Sequence, residues 1–230
     1  MTEDRARWVR RGESLGWYAL LIGSAGQAAA GAASDGRGAA FGAVFAGLAA
    51  IVAACRRGWA WPLALYWLTS LALSLPFDGA AIARPTAWVA PAEAALLALA
   101  AAAGGAVIGL RRVLPITAAM LLLLFGGIHL SQGPAIAALT PAWLPMRSVA
   151  PYASGLAQIA AGLWLAVRPS RGPAWTMAAM YLSWLPLIHL PRLLAEPGDA
   201  SEWRFAAMAL ALAGALILST KRSDREEIVR

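Results

Sequence analysis

Two histidines stand in this 230-residue chain, and they are placed alike. His129 ends the apolar run "LLLLFGGIHL", and His189 ends "YLSWLPLIHL". Imidazole gains and loses a proton near neutrality. A pair of them can exchange hydrogen bonds with a quinone carbonyl, relay protons, or ligate haem or metal. Two histidines fall short of a usual metal shell, which needs further ligands such as Glu93 or Asp78, so no metal site is expected. The simpler reading is an imidazole at a helix end, satisfied by water, headgroups or a nearby carbonyl.

Two further polar side chains sit inside apolar runs: Gln158 in "SGLAQIAAGLWL" and Glu93 in "PAEAALLALA". A buried amide must find partners, either on a neighbouring helix or on a ligand carbonyl. A carboxyl kept out of water sheds its charge by binding a proton, which opens a proton-coupled role. His129, His189, Gln158 and Glu93 form the candidate ligand-binding set, and no residue is assigned as catalytic. Tyr66, Trp67, Tyr181 and Trp184 lie in the same runs and either line a ring-binding cleft or pack the interior. Asp78 and Arg84 bracket a short loop, where they are expected to pair. No phosphate-binding loop, zinc-protease motif, dinucleotide fingerprint or nucleophile–base set is present.

The segments that carry these residues are membrane segments by composition. Sixty per cent of the chain is hydrophobic and 13% is charged, against about 25% charged in soluble domains. The single Cys55 forms no internal disulfide and completes no C-x-x-C pair. The net charge of +7 is spread as arginines flanking apolar runs, a pattern that argues against nucleic acid. A spanning helix needs about 20 mainly apolar residues. Eight such runs are legible: 14–33, 38–55, 58–77, 87–110, 113–130, 149–167, 172–190 and 203–220. The fold class is all-α, an integral membrane helical bundle. Acidic Glu3, Asp4 and Glu13 argue against reading the first run as a cleaved signal.

With a cytoplasmic N-terminus, 14 of the 19 basic residues fall on the inner side, which places both termini in the cytoplasm. Trp59, Trp61 and Trp175 then mark the inner boundary, and Trp88, Trp143 and Trp203 the outer one. The segment 131–148 is too short and too rich in proline to span, and "PAWLP" within it is read as a fixed turn or a short amphipathic piece. In this topology His129 and His189 reach the same depth, near the outer face. Gly38/Gly42 and Gly105/Gly109 are spaced for close helix approach.

The eight runs divide into two sets of four. "RGWAWPLALYWLT" (57–69) aligns with "RGPAWTMAAMYLS" (171–183) at an offset of 114 residues, and Trp88 aligns with Trp203 at nearly the same offset. The expected domains are an N-terminal four-helix unit, 1–112, and a C-terminal one, 113–230, in parallel orientation.

The C-terminal half resembles the DoxX family of small four-helix bacterial membrane proteins. The matching features are Gly126, Gly127 and His129 at the end of a first helix, "PAWLP" at 141–145, "SGLAQIAAGLWL" as a second helix, and a third helix closing with Pro186 and His189. Family members usually carry Glu where this chain has Gln158, and Asn after the proline of the third helix. The resemblance implies a plasma-membrane protein linked to a redox system, with quinone as the cofactor class and a soluble or membrane oxidoreductase subunit as partner. A small proton-coupled carrier and a non-catalytic scaffold are the alternatives. The sequence names no substrate, oligomeric state or catalytic step.

Overall fold

A computed structural model describes residues 3–35, 60–105 and 108–220. The helices are α1 (Glu3–Asp35), α2 (Trp61–Ser74), the short α3 (Gly79–Ile82), α4 (Val89–Gly105), α5 (Leu114–Ser131), α6 (Gly133–Leu139), α7 (Ala150–Val167), α8 (Arg171–Trp184), α9 (Leu190–Ala195) and α10 (Ala200–Ser219). Single 3-10 turns, Pro85–Trp88 and Ile108–Arg112, lead into α4 and α5. There is no strand among the described residues. Four helical stretches are long and apolar enough to cross a membrane: Pro85–Ala103, Leu110–Ser131, Ala150–Val167 and Ala200–Ser219. The expected run 38–55, with Gly38 and Gly42, lies outside the described residues.

Proline sets several of the boundaries. Pro62, Pro115 and Pro151 occupy the first turns of α2, α5 and α7, where a missing N–H costs nothing and a fixed φ suits the helix. The run expected at 58–77 yields a shorter helix, because Leu75 turns extended at ψ 131°. Pro76 follows it, and a residue before proline avoids the helical region. Segment 131–148 forms α6 and a series of turns. Met146 there has φ 56°, in the left-handed region that L-residues seldom occupy.

The third helix of the C-terminal half does not close at Pro186 and His189. It runs on to Ala195 through one turn of π-helix, Leu185–His189. The Leu190 N–H bonds the Leu185 carbonyl, five residues back. Pro186 and Pro191 have no N–H to give the ordinary ladder, so the wider turn carries the helix past them.

Small residues bring the helices together. A Cβ on Gly214 of α10 would meet the carbonyl oxygen of Gly16 in α1 at 2.5 Å. A Cβ on Gly126 of α5 would meet the Gly155 carbonyl of α7 at 2.7 Å. Such contacts hold helices where no difference in hydrophobicity drives them together. Trp17, Leu20, Leu97, Leu121, Leu122 and Leu216 fill the core between α1, α4, α5 and α10.

The same pattern recurs in both halves. Ala60, Leu63, Ala64 and Trp67 are buried, and so are Ala174, Met177, Ala178 and Tyr181, each 114 residues later. α2 packs on α4 as α8 packs on α10. Trp88 Nε1 donates to the Ile82 carbonyl at 3.0 Å, and Trp203 Nε1 donates to the Pro197 carbonyl at 3.0 Å. Asp78 Oδ1 accepts from the Ala80 N–H at 3.4 Å, and no ion pair joins it to Arg84 among the described residues.

Candidate functional site

A cavity of about 530 Å3 lies among α4, α5, α6, α7, α8, the π-turn and α10. Phe125, Leu139, Leu144, Leu187, Phe205 and Met208 give it apolar walls. His129, His189 and Glu93 all line it, so three of the four sequence-derived site residues share one chamber. The helices brought both histidines to one place, although 60 residues separate them.

His129 sits in the last turn of α5. Its Nδ1 lies 2.9 Å from the Phe125 carbonyl. A carbonyl only accepts, so Nδ1 carries the proton and donates. The ring stacks on Trp184 of α8, with centroids 6.0 Å apart and planes 23° from parallel. Trp184 in turn meets Tyr181 edge to face, 4.8 Å between centroids. These three rings make one continuous wall, and all three line the cavity. Tyr66 and Trp67 pack against each other elsewhere, and Trp67 Nε1 donates to Ser24 Oγ at 3.0 Å.

His189 is on the π-turn and is buried. Its Nδ1 lies 2.6 Å from Oε1 of Glu202, which is only 1% exposed. Arg192 Nη2 lies 3.1 Å from the other oxygen, Oε2. That contact is misaligned for a hydrogen bond and is an ion pair. The Arg192 guanidinium faces Oε2 as the cation of that ion pair, which favours the carboxylate form, and a carboxylate offers Oε1 to His189 only as an acceptor. His189 Nδ1–H therefore donates to Glu202, as a carboxylate orients an imidazole in many sites. His189 and Arg192 are three residues apart and share a helix face.

The sequence does not single out Glu202. It falls one residue before the run expected at 203–220. Asp199 and Glu202 have the spacing of a helix capping box, which reads as local chemistry. Asp199 does cap α10, accepting from the Ser201 N–H at 2.9 Å. Glu202 instead turns inward to His189 and Arg192. Its signal in the sequence is its place one residue before the apolar run, three residues after the Asp199 that ends "PRLLAEPGD".

Gln158 is fully buried in α7 and does not line the cavity. Both its amide atoms lack a hydrogen-bond partner. It lies one helical turn beyond Ser154, and Ser154, Pro151 and Ala150 do line the cavity. It thus extends the cavity face of α7 by one turn. Tyr181 Oη, on the cavity wall, is also buried and unpartnered. Native proteins leave few such groups. Among the described residues, no group of three or more His, Cys, Asp or Glu side chains is arranged to hold a metal ion.

An apolar chamber with a few convergent polar groups is the usual form of a small-molecule site, and roughly 300–1,000 Å3 is its usual volume. What the arrangement offers chemically is hydrogen bonding at two oriented imidazoles. No family model matches this chain, and neither a curated protein nor a solved structure does.

Proposed function

We propose that this chain is a bacterial plasma-membrane protein that binds quinone, or another small apolar ring compound, as an accessory or membrane subunit of a redox system. The observation that carries this is the convergence of His129, His189 and Glu93 on one apolar chamber walled by Trp184 and Tyr181. A flat ring fits against stacked aromatic faces, and the two imidazoles with the unpartnered Tyr181 hydroxyl offer both acceptors and a donor to oxygens on the ring. The DoxX-like residues of the C-terminal half point the same way, and the partner would be an oxidoreductase subunit supplying the electron-carrying groups. The proposed topology is about eight spans with both termini cytoplasmic, in two tandem four-helix units. Matched burial at an offset of 114, and the same indole-to-carbonyl bond at Trp88 and Trp203, support the tandem arrangement.

The test is mass spectrometry of a solvent extract from purified protein, beside the His129→Ala/His189→Ala double variant. Quinone near one per chain in the wild type, and absent from a folded double variant, is the expected result. Bulk phospholipid alone in both would end the quinone reading. A small proton-coupled carrier is the second reading, favoured by Glu93 on the cavity wall. Proton-driven uptake into liposomes that is lost in Glu93→Gln would establish it instead.

A further inference from the structure

The cavity's two imidazoles are fixed in the same tautomer by unrelated partners. His129 Nδ1 faces a backbone carbonyl at 2.9 Å, and His189 Nδ1 faces a carboxyl oxygen at 2.6 Å. Both partners accept, so in each neutral ring the proton sits on Nδ1. The remaining nitrogen, Nε2, is then a bare lone pair. Neither Nε2 has a hydrogen-bond partner among the described residues, and both rings line the cavity. The chamber therefore offers two acceptors on opposite stretches of sequence, α5 and the π-turn.

An oxidised quinone brings only carbonyl acceptors: it can take the unpartnered Tyr181 hydroxyl, but it meets both imidazole lone pairs with nothing to donate. A hydroquinone or other phenol brings O–H donors. Resting on the reading of this cavity as a ring-binding site, we infer that its preferred occupant is a hydroxylated ring, the reduced quinol or a phenol, over the quinone. His189, backed by Glu202 and Arg192, takes one hydroxyl, and His129, stacked on Trp184, takes the other. Sites built around a substrate hydroxyl reject analogues lacking it far more strongly than apolar pockets reject an extra methylene.

The experiment is equilibrium binding to the full chain in lipid nanodiscs. The probes are decylubiquinone, its quinol kept reduced under nitrogen, a long-chain alkylphenol and that phenol's O-methyl ether. The phenol pair separates hydroxyl donation from redox state. The inference expects quinol and phenol to bind at least about tenfold more tightly than quinone and ether. It also expects the preference to vanish in His129→Ala/His189→Ala. Equal binding, tighter quinone, or a preference that survives in the double variant overturns the inference and leaves the quinone-site reading standing. Binding of none of the probes overturns both. The wild type gives a check that needs no variant: 15N spectra of histidine-labelled protein should show Nε2 unprotonated in both rings. A proton on either Nε2 overturns the tautomer assignment.

Discussion

His189 Nδ1 and Glu202 Oε1 lie 2.6 Å apart, the shortest bond in the site and one that joins the π-turn to the first turn of α10. Arg192 closes the other side of the same carboxyl. Removing one member of a buried charged set leaves the others desolvated and unpaired, at about 3–5 kcal/mol. The Arg192 side chain is about one-third exposed, so water recovers part of that loss. Glu202→Ala is expected to fall at the low end, near 3 kcal/mol, and Glu202→Gln to cost less, because the amide oxygen still accepts from His189. Thermal unfolding in detergent, followed by circular dichroism, orders the three proteins. Equal midpoints for Glu202→Ala and wild type would show the cluster to be open to water.

Gln158 makes the opposite prediction. Its amide is fully buried with neither atom bonded. An unsatisfied buried polar group costs about 1–3 kcal/mol. Gln158→Leu, close in volume, is expected to stabilise the empty protein by that amount. A lower melting temperature in Gln158→Leu would mean that the amide is satisfied in the membrane.

Gly155 holds α5 and α7 at a spacing that leaves no room for a side chain. A Cβ there would lie 2.9 Å from the Gly126 carbonyl oxygen and 2.9 Å from His129 Cβ. Gly155→Val is expected to destabilise by about 1–3 kcal/mol through overpacking, and to displace His129 from Trp184. Paired melting and ring-ligand binding would show both effects. Loss of stability with unchanged binding would mean that the histidine level does not follow the helix spacing.

The two halves are expected to depend on each other. Among the described residues α1 packs on α10 more extensively than any other pair of helices, and Glu93 of α4 lines a cavity otherwise built from the C-terminal half. Residues 113–230 produced alone should be unstable, and coexpression with 1–112 should restore a complex that copurifies. A stable, ligand-binding 113–230 fragment would show that the second unit is self-sufficient.

Much of this was legible in the sequence, and the reasons differ by element. α4, α5, α7 and α10 were read from the length of their apolar runs, which is a property of each run alone. Counting crossings gives His129 and His189 one expected depth. The shared cavity is not legible that way, because such a count leaves rotation about the helix axis open. The DoxX-like reading closes the helix through Pro186 at His189, where the apolar run also ends. A π-turn is the less common solution, and periodicity carries no trace of it. Glu202 is hidden by a spacing that has a local explanation, and Gln158 stands out in the sequence as an amide inside an apolar run, while its place off the cavity depends on the packing of α7.

The close embrace of α1 and α10 has a consequence in time. A chain inserted into a membrane in order of synthesis makes α1 first and α10 last among these helices. The glycine-lined face of α1 must wait without α10 until its partner arrives. α10 also brings Glu202, so His189 and Arg192 lack their carboxylate until then. The cavity and the bundle are thus completed by a single late event, and any pause in synthesis before residue 200 leaves both unfinished.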